Sequence, residues 1–257
     1  MSAAATLYLV PTPLDHGCAS LAPLEQVLPL GTIQTAASLS HWISENAKST
    51  RAFLKRVSAA APLARPIQAQ RIIELPHAAH KKGDHGEGGA RFDARALLAP
   101  ALQEGRDIGL VSEAGMPAVA DPGSSVVRAA HESGLRVAPL VGPVSILLAL
   151  AASGLNGQRF AFAGYLPQDD ALRARQIQRL QARALQTGET QLFIETPYRN
   201  AALMRSLLTH LDAATRLAVC SAVTLPQAVI LTRTVAQWRA AGGPASLDQP
   251  AVYGIGV

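Results

Sequence analysis

Short apolar segments alternate with stretches of helical periodicity along the whole chain of 257 residues. Uniformly apolar strands separated by helical crossovers are typical of a mostly parallel sheet covered by helices on both faces. In the first half of the chain, strands are predicted at residues 7–10, 32–36, 71–75, 107–112 and 136–141. Helices are predicted at residues 21–28, 49–61, 94–103, 124–132 and 144–152. The predicted fold class is therefore α/β.

The second half of the chain predicts a different kind of sheet. Strands are predicted at residues 159–166, 190–196, 216–223, 229–235 and 251–257, and helices at residues 172–186 and 199–211. The last three strands have only short connections, which favours a mixed sheet. Because a polar, turn-rich break falls at residues 155–159, we predict an N-terminal α/β domain over residues 1–155 and a C-terminal α/β domain over residues 156–257.

Composition narrows the class of protein. Apolar residues make up 49% of the chain and charged residues 16%, which excludes a disordered chain. The net charge of +5 permits an anionic partner without requiring one. Cys18 and Cys220 are too few for a disulfide framework, and the first ten residues do not resemble a signal peptide, so we expect a cytoplasmic protein. The longest uncharged run, at residues 137–158, is broken by proline and glycine and predicts no membrane span.

Residues 77–89 (HAAHKKGDHGEGG) hold three of the seven histidines. A metal site and a solvated loop are both compatible with this pattern. Four glycines in the segment would not hold ligands rigidly, and no cysteine is near, so we favour the loop and predict no metal.

Four predicted strands are followed by loops rich in glycine, proline and small residues, at residues 11–14, 111–123, 140–146 and 194–200. Ligands of open α/β sheets bind beyond the carboxyl ends of the strands. The chain lacks the G-x-G-x-x-G pattern of dinucleotide sites and the G-x-x-x-x-G-K-[ST] pattern of nucleoside triphosphate sites. The loops therefore predict a ligand that is held mainly by main-chain atoms and that is neither a dinucleotide nor a nucleoside triphosphate.

Motifs in these loops resemble those of the tetrapyrrole methylase superfamily of S-adenosylmethionine-dependent methyltransferases. They are most similar to its branch of ribose 2′-O-methyltransferases that act on small-subunit ribosomal RNA. The resemblance implies two α/β domains with the cofactor in the cleft between them, usually in a homodimer. The segments that carry it are 7–13 (LYLVPTP), 112–123 (SEAGMPAVADPG), 141–145 (VGPVS), 152–155 (ASGL), 162–167 (FAGYLP) and 195–199 (ETPYR).

The resemblance also implies which residues contact the cofactor, S-adenosylmethionine. In this family the position of Met116 often holds an acid, so any carboxylate contact must come from elsewhere. The implied contacts, taken motif by motif, are Leu14, Gly115, Met116, Val119, Ser145, Ile146, Ile194, Ala222 and Ala251.

Two glutamates are candidates for the catalytic group. Methyl transfer needs alignment and exclusion of water more than a covalent nucleophile. Glu113 or Glu195 could offset the charge of the sulfonium or accept the proton of an acceptor hydroxyl. Glu195 could equally be a structural carboxylate paired with Arg199, and Asp121 could equally cap the helix that follows it.

Arg175, Arg179 and Arg183 are spaced by four residues and would form one basic stripe on the helix that follows Asp169 and Asp170. The stripe is either a phosphate-contacting face or a solvated face. Together with the loops, the family resemblance implies an S-adenosylmethionine-dependent methyltransferase that methylates ribosomal RNA at a ribose 2′-hydroxyl and so takes part in ribosomal RNA processing. The alternatives are methylation of a small molecule such as a tetrapyrrole, and a cofactor-binding protein without transferase activity. The second alternative is motivated by the missing acid at Met116 and by residues 45–48 (ENAK), which interrupt the Glu-Asp-Thr-Arg pattern usual in the ribosomal branch.

Overall fold

The computed structural model describes residues 5–15, 17–18, 21–76, 92–244 and 247–257. The histidine-rich segment 77–89 lies outside the described residues. The chain divides into two compact units, Met1–Val144 and Ser145–Val257. Within the described residues no helix is long and apolar enough to cross a membrane.

The first unit contains a five-stranded sheet whose strands all run parallel, in the order β3-β2-β4-β1-β5. One buried cluster, which includes Ile33, Trp42 and Leu54, and a second, which includes Ile43 and Leu98, pack around it. This arrangement confirms the predicted parallel sheet. The strands are β1 (Thr6–Val10), β2 (His41–Ser44), β3 (Arg71–Glu74), β4 (Ile108–Val111) and β5 (Arg136–Pro139). The helices are α1 (Leu24–Val27), α2 (Leu30–Ser38), α3 (Ala47–Ala60), α4 (Ala94–Gln103) and α5 (Ser124–Glu132), with a 3-10 turn at Ile67–Ala69.

The strand predicted at residues 32–36 is wrong, because these residues lie inside α2. Thr32, Ile33, Ala36 and Ala37 are buried along one face of the helix. A short apolar run does not by itself distinguish a strand from a buried helix. The strand at this place in the chain is instead β2, whose Trp42 donates its indole hydrogen to Gln70 Oε1 at 2.9 Å.

The second unit contains a mixed five-stranded sheet in the order β6-β7-β10-β8-β9, as predicted. Only the pair β6 and β7 is parallel, and the other pairs are antiparallel. Its strands are β6 (Phe160–Tyr165), β7 (Thr190–Glu195), β8 (Arg216–Ser221), β9 (Val229–Thr234) and β10 (Ala251–Gly256). Its helices are α6 (Ser145–Ser153), α7 (Asp170–Thr187), α8 (Pro197–His210) and α9 (Val235–Ala240).

Helix α6 packs against β8, β9 and β10, so it belongs to the second unit. The turn after α6 approaches β10 closely, because a Cβ atom on Gly254 or Gly256 would lie 2.9 Å from a methyl carbon of Leu155. The domain boundary predicted between residues 155 and 156 falls after this helix, whereas the division by contacts falls before it.

Candidate functional site

Three of the glycine- and proline-rich loops meet beyond the carboxyl ends of the strands of the first sheet. Thr12 and Gly115 exchange both main-chain hydrogen bonds, at 2.9 and 3.0 Å, which joins the loop after β1 to the loop after β4. Gly115 has a φ of 81°, and a Cβ atom there would lie 3.1 Å from Leu14 Cδ2 and 3.6 Å from the carbonyl oxygen of Pro143. Two predicted cofactor contacts, Leu14 and Gly115, therefore lie side by side, next to the loop after β5.

The loop after β4 holds several residues in the left-handed region. Ala118 and Ala120 both have a φ of 64°, and Gly123 has a φ of 129°. A left-handed conformation is unfavourable for alanine, and such strain is concentrated at functional sites. Two further predicted contacts lie in this loop: Met116 is half-buried and the side chain of Val119 is 41% exposed.

The carboxyl groups of Glu45, Glu113 and Asp121 lie in or beside this loop. Glu45 Oε2 accepts a hydrogen bond from the main-chain nitrogen of Glu113 at 2.9 Å. Burial, reinforced by the charges of Glu45 and Glu113, raises the pKa of Asp121 to about 7, although a hydrogen bond from Ser112 opposes the shift. Asp121 is not the N-cap residue of α5, because that position is occupied by Gly123. The cap interpretation of Asp121 is therefore wrong.

A cavity of about 440 Å³ lies between the loop after β1, the start of the loop after β4, and α3. Asp15, which is buried, pairs with Arg56 through two hydrogen bonds of 2.9 Å, and Arg56 Nη2 also donates to the carbonyl oxygen of Ala22 at 2.7 Å. Asn46 caps α3 by accepting from the main-chain nitrogens of Lys48 and Ser49. The lining residues are Thr12, Pro13, Asp15, Gly17, Leu21, Asn46, Lys48, Ser49, Ala52, Phe53, Arg56, Ser112 and Glu113.

Within the described residues, no group of histidine, cysteine, aspartate and glutamate side chains is arranged to hold a metal ion. Sequence reasoning identified Glu113 but missed Asn46, Lys48 and the pair of Asp15 with Arg56.

The predicted contacts of the second unit are arranged around one end of its sheet. Ala251 pairs with Glu195 and Ser221, and Val252 pairs with Ile194. Ala222 follows β8 directly and has a φ of 52°. Ser145 begins α6, and the next residue, Ile146, packs against Leu192 two positions before Ile194. The side chain of Ala251 belongs to the core cluster around Phe193 and Tyr253, on the face opposite to Ile194.

Glu195 has the surroundings of a structural carboxylate. Its side chain is 1% exposed, and its Oε2 lies 2.9 Å from Arg199 Nη2. Its Oε1 accepts hydrogen bonds from the main-chain nitrogen and the hydroxyl of Thr196, at 2.9 and 3.3 Å. Arg199 also donates to the carbonyl oxygen of Leu166 at 3.2 Å. Oε1 is thus hydrogen-bonded, whereas the buried Oε2 is paired with the charge of Arg199 without a hydrogen bond in the described residues.

The three arginines of the stripe are exposed on α7. Asp169 caps this helix, accepting from the main-chain nitrogen of Leu172 at 2.9 Å. Arg183 pairs with Glu189 at 2.7 Å. In the described part of the chain, Arg175 and Arg179 form no ion pair, so two of the three charges face solvent.

The fold and these motifs define the class of protein. The family described as "Tetrapyrrole (Corrin/Porphyrin) Methylases" matches residues 34–238 of the chain, and the chain belongs to this family. The solved uroporphyrin-III-C-methyltransferase of Thermus thermophilus is similar in fold, with a TM-score of 0.53, 18% identity, and coverage of 98% of this chain and 94% of that one.

Two curated relatives are named ribosomal RNA small subunit methyltransferase I. The protein of Pseudomonas aeruginosa is 39% identical over 140 residues, or 54% of this chain and 45% of its own length. The protein of Mesorhizobium japonicum is 31% identical over 213 residues, or 83% of this chain and 62% of its own length. These matches confirm the predicted resemblance to the ribosomal branch, while the chain spans about half to three fifths of the length of these two relatives.

Proposed function

We propose that the protein is an S-adenosylmethionine-dependent methyltransferase that methylates small-subunit ribosomal RNA on a ribose hydroxyl. The observation that carries the proposal is the junction of Thr12 with Gly115, which sets a strained main-chain loop beside a cavity lined by a carboxylate. The names of the curated relatives support the choice of substrate.

The residues of the loops fit S-adenosylmethionine, which supplies an electrophilic methyl group when bound. Gly115 has a positive φ, which residues with a side chain rarely adopt, and Leu14 packs into the space that a Cβ atom would take there, so two of the implied contacts lie next to each other. We assign the cofactor to Leu14, Gly115, Met116 and Val119 in the first unit. In the second unit we assign it to Ser145, Ile146, Ile194, Ala222 and Ala251, the last through its main chain.

Glu113 is the group we assign to the proton of the acceptor hydroxyl. It lines the cavity, and the hydrogen bond of its main-chain nitrogen to Glu45 fixes its position. A general base must lie within hydrogen-bonding reach of the proton that it accepts. Glu113, a half-buried carboxylate in a cavity wall, meets this requirement, whereas the enclosed Glu195 does not. Glu195 is assigned instead to holding Arg199 and the start of α8.

The test begins with binding and proceeds to transfer. Isothermal titration should show that S-adenosylmethionine and its demethylated product both bind. The protein should then transfer labelled methyl groups to small ribosomal subunits purified from cells that lack it, and mass spectrometry of digested RNA should identify a 2′-O-methylated nucleoside. The proposal would be refuted if neither compound bound in the titrations, or if no labelled methyl group were transferred to the RNA.

Arg175 and Arg179 are assigned to the phosphates of the RNA. The double variant Arg175→Glu with Arg179→Glu should weaken RNA binding and leave cofactor affinity unchanged. Arg205→Glu with Arg216→Glu, which makes the same charge change at exposed positions of the same unit, is the matched control. Equal RNA binding by the two double variants would assign the stripe to solvent.

A homodimer in the cytoplasm completes the proposal. Because family resemblance implies the dimer, light scattering of the purified protein at several concentrations should give twice the mass of the chain. Fractionation of cells should recover the protein with the ribosomes and the cytosol.

A further inference from the structure

The cavity of the first unit is not lined by any of the assigned cofactor contacts. It adjoins them, because Thr12 is in its wall and forms both main-chain hydrogen bonds to Gly115. Its volume of about 440 Å³ lies within the range of about 300–1,000 Å³ that is usual for small-ligand sites. The cavity is therefore of a suitable size, and in a suitable place, to receive a second ligand beside the cofactor.

The charges of the cavity limit the kind of ligand. Among the described residues of its wall two are cations, but Arg56 is neutralised by its paired hydrogen bonds with Asp15. Lys48 is exposed, and within the described residues its side chain forms no hydrogen bond or ion pair. The start of α3 offers no comparable anion site, because Asn46 already accepts from the main-chain nitrogens of Lys48 and Ser49. Of the described lining residues, Lys48 is therefore the cation available to an anionic ligand.

The remaining lining combines an apolar wall with hydroxyl-binding groups. Pro13, Leu21 and Phe53 form apolar surface, and Glu113 and Thr12 add polar atoms. A nucleotide presents a flat base, ribose hydroxyls and a singly charged phosphodiester, which match these three features. A tetrapyrrole carries many carboxylates and would need several available cations.

We propose that this cavity binds the nucleotide of the RNA that receives the methyl group, with Lys48 contacting its phosphate and Pro13, Leu21 and Phe53 packing against its base. The inference rests on the proposed function and adds to it the place of the acceptor. Glu113, in the same wall, then lies beside the ribose.

The probes are the 3′,5′-bisphosphates of cytidine, uridine, adenosine and guanosine with each phosphate methyl-esterified, so that each phosphate is a singly charged diester, as in RNA. We expect at least one to bind the wild-type protein, as measured by titration followed by NMR. Lys48→Glu should weaken that binding by about tenfold or more, because it replaces a charge-assisted contact by a repulsion. Lys55→Glu, the same change at an exposed position of α3 outside the cavity, should leave it unchanged.

A second pair of variants tests the cavity without altering charge. Ala52→Trp would fill the cavity from an exposed position of α3, and Ala59→Trp makes the same change elsewhere on that helix. Only Ala52→Trp should abolish binding of the bisphosphate. Thermal unfolding of all four variants checks that each is folded.

The outcomes separate this inference from the proposed function. Methyl transfer to ribosomal subunits by a wild-type protein that binds no bisphosphate would overturn the inference alone. Equal weakening by Lys48→Glu and Lys55→Glu, or full binding by Ala52→Trp, would also overturn it. Binding that depends on Lys48 without any methyl transfer to RNA would instead retain the nucleotide site and refute the proposed function.

Discussion

Glu113 and Glu195 occupy comparable places in the two units but have opposite surroundings. Glu113 lies just after β4 and Glu195 is the last residue of β7, and both strands are interior strands of their sheets. Proline and alanine residues follow each glutamate in the chain. Glu113 lies in a cavity wall, with its main chain fixed by Glu45. Glu195 is enclosed by Thr196 and Arg199, with 1% of its side chain exposed. The position of a carboxylate at a strand end therefore does not predict whether it is enclosed or lines a cavity.

The same contrast holds for the chain beyond each glutamate. After β4 the main chain passes through residues 112–123, including two alanines in the left-handed region, before α5 begins. After β7 only Thr196 precedes α8, whose first residue is Pro197. The first unit presents open main chain, and the second uses a buried ion pair to hold the start of a helix.

The largest expected effect is on stability, from Glu195→Gln. This change leaves the charge of Arg199 without its buried partner, and breaking such a pair costs about 3–5 kcal/mol. Because the side chain of Arg199 is 20% exposed, we expect the lower end of that range. Urea unfolding measures the change, and Glu25→Gln, at an exposed position of α1, is the control, expected to alter stability by less than about 0.5 kcal/mol. Similar losses in both variants would show that Glu195 does not stabilise the second unit through its pair with Arg199.

The second effect is on catalysis, from Glu113→Gln. If Glu113 accepts the proton, its loss should lower methyl transfer by about 100-fold or more. The affinity for S-adenosylmethionine should stay unchanged, since the amide is isosteric. The rate of transfer to ribosomal subunits and a calorimetric titration of the cofactor provide the two measurements. Full activity of this variant would exclude Glu113 as the base.

The third effect is a change in pH dependence, from Asp121→Asn. Folding raises the pKa of Asp121 to about 7, so between about pH 4 and pH 7 the folded chain binds more protons than the unfolded chain. The contribution of Asp121 to the free energy of unfolding therefore falls as the pH rises through this window and stays low above it. Asp121→Asn should remove that fall and make the protein more stable than the wild type above pH 7.

Urea unfolding at a series of pH values tests this prediction. Glu25→Gln, at an exposed position of α1, should leave the pH dependence of the wild type unchanged. A variant Asp121→Asn with the same slope as the wild type would show that this carboxyl titrates normally.

The smallest effect concerns the strained loop, from Ala120→Gly. Glycine adopts the φ of 64° without steric conflict, but it loses more conformational freedom on folding. We expect a net stabilisation of less than about 1 kcal/mol. Ala59→Gly, in the exposed part of α3, should destabilise by about 1 kcal/mol. Destabilisation by both changes would show that Ala120 carries no strain.

Local signals in the sequence predicted most of the sheet strands. Apolar runs bounded by glycine and proline located nine of the ten strands, and short connections indicated the mixed second sheet. β2 was missed because its ends are polar residues that become buried only in the folded unit. Helix α9 was missed although Thr234 and Gln237 form a capping box, a signal that the sequence does contain.

The candidate site was predicted only in part. The loops that meet around Gly115 could be identified because each has an unusual local composition. The cavity could not, because Asp15 and Arg56 are 41 positions apart and nothing in the sequence pairs them. For Glu195 the sequence did predict the contact, because Arg199 lies only four positions away. The sequence did not decide whether Glu195 is a structural or a catalytic carboxylate.

The reciprocal hydrogen bonds of Thr12 and Gly115 tie the loop after β1 to the loop after β4, so neither main chain can shift there without straining both bonds. A ligand of the proposed nucleotide cavity that displaced Thr12 would therefore also displace Gly115, in the loop assigned to the cofactor. If the two ligands are coupled through this junction, thermodynamic reciprocity requires that each changes the affinity of the other by the same factor. The order in which methyl donor and acceptor bind would then leave the total free energy of binding unchanged.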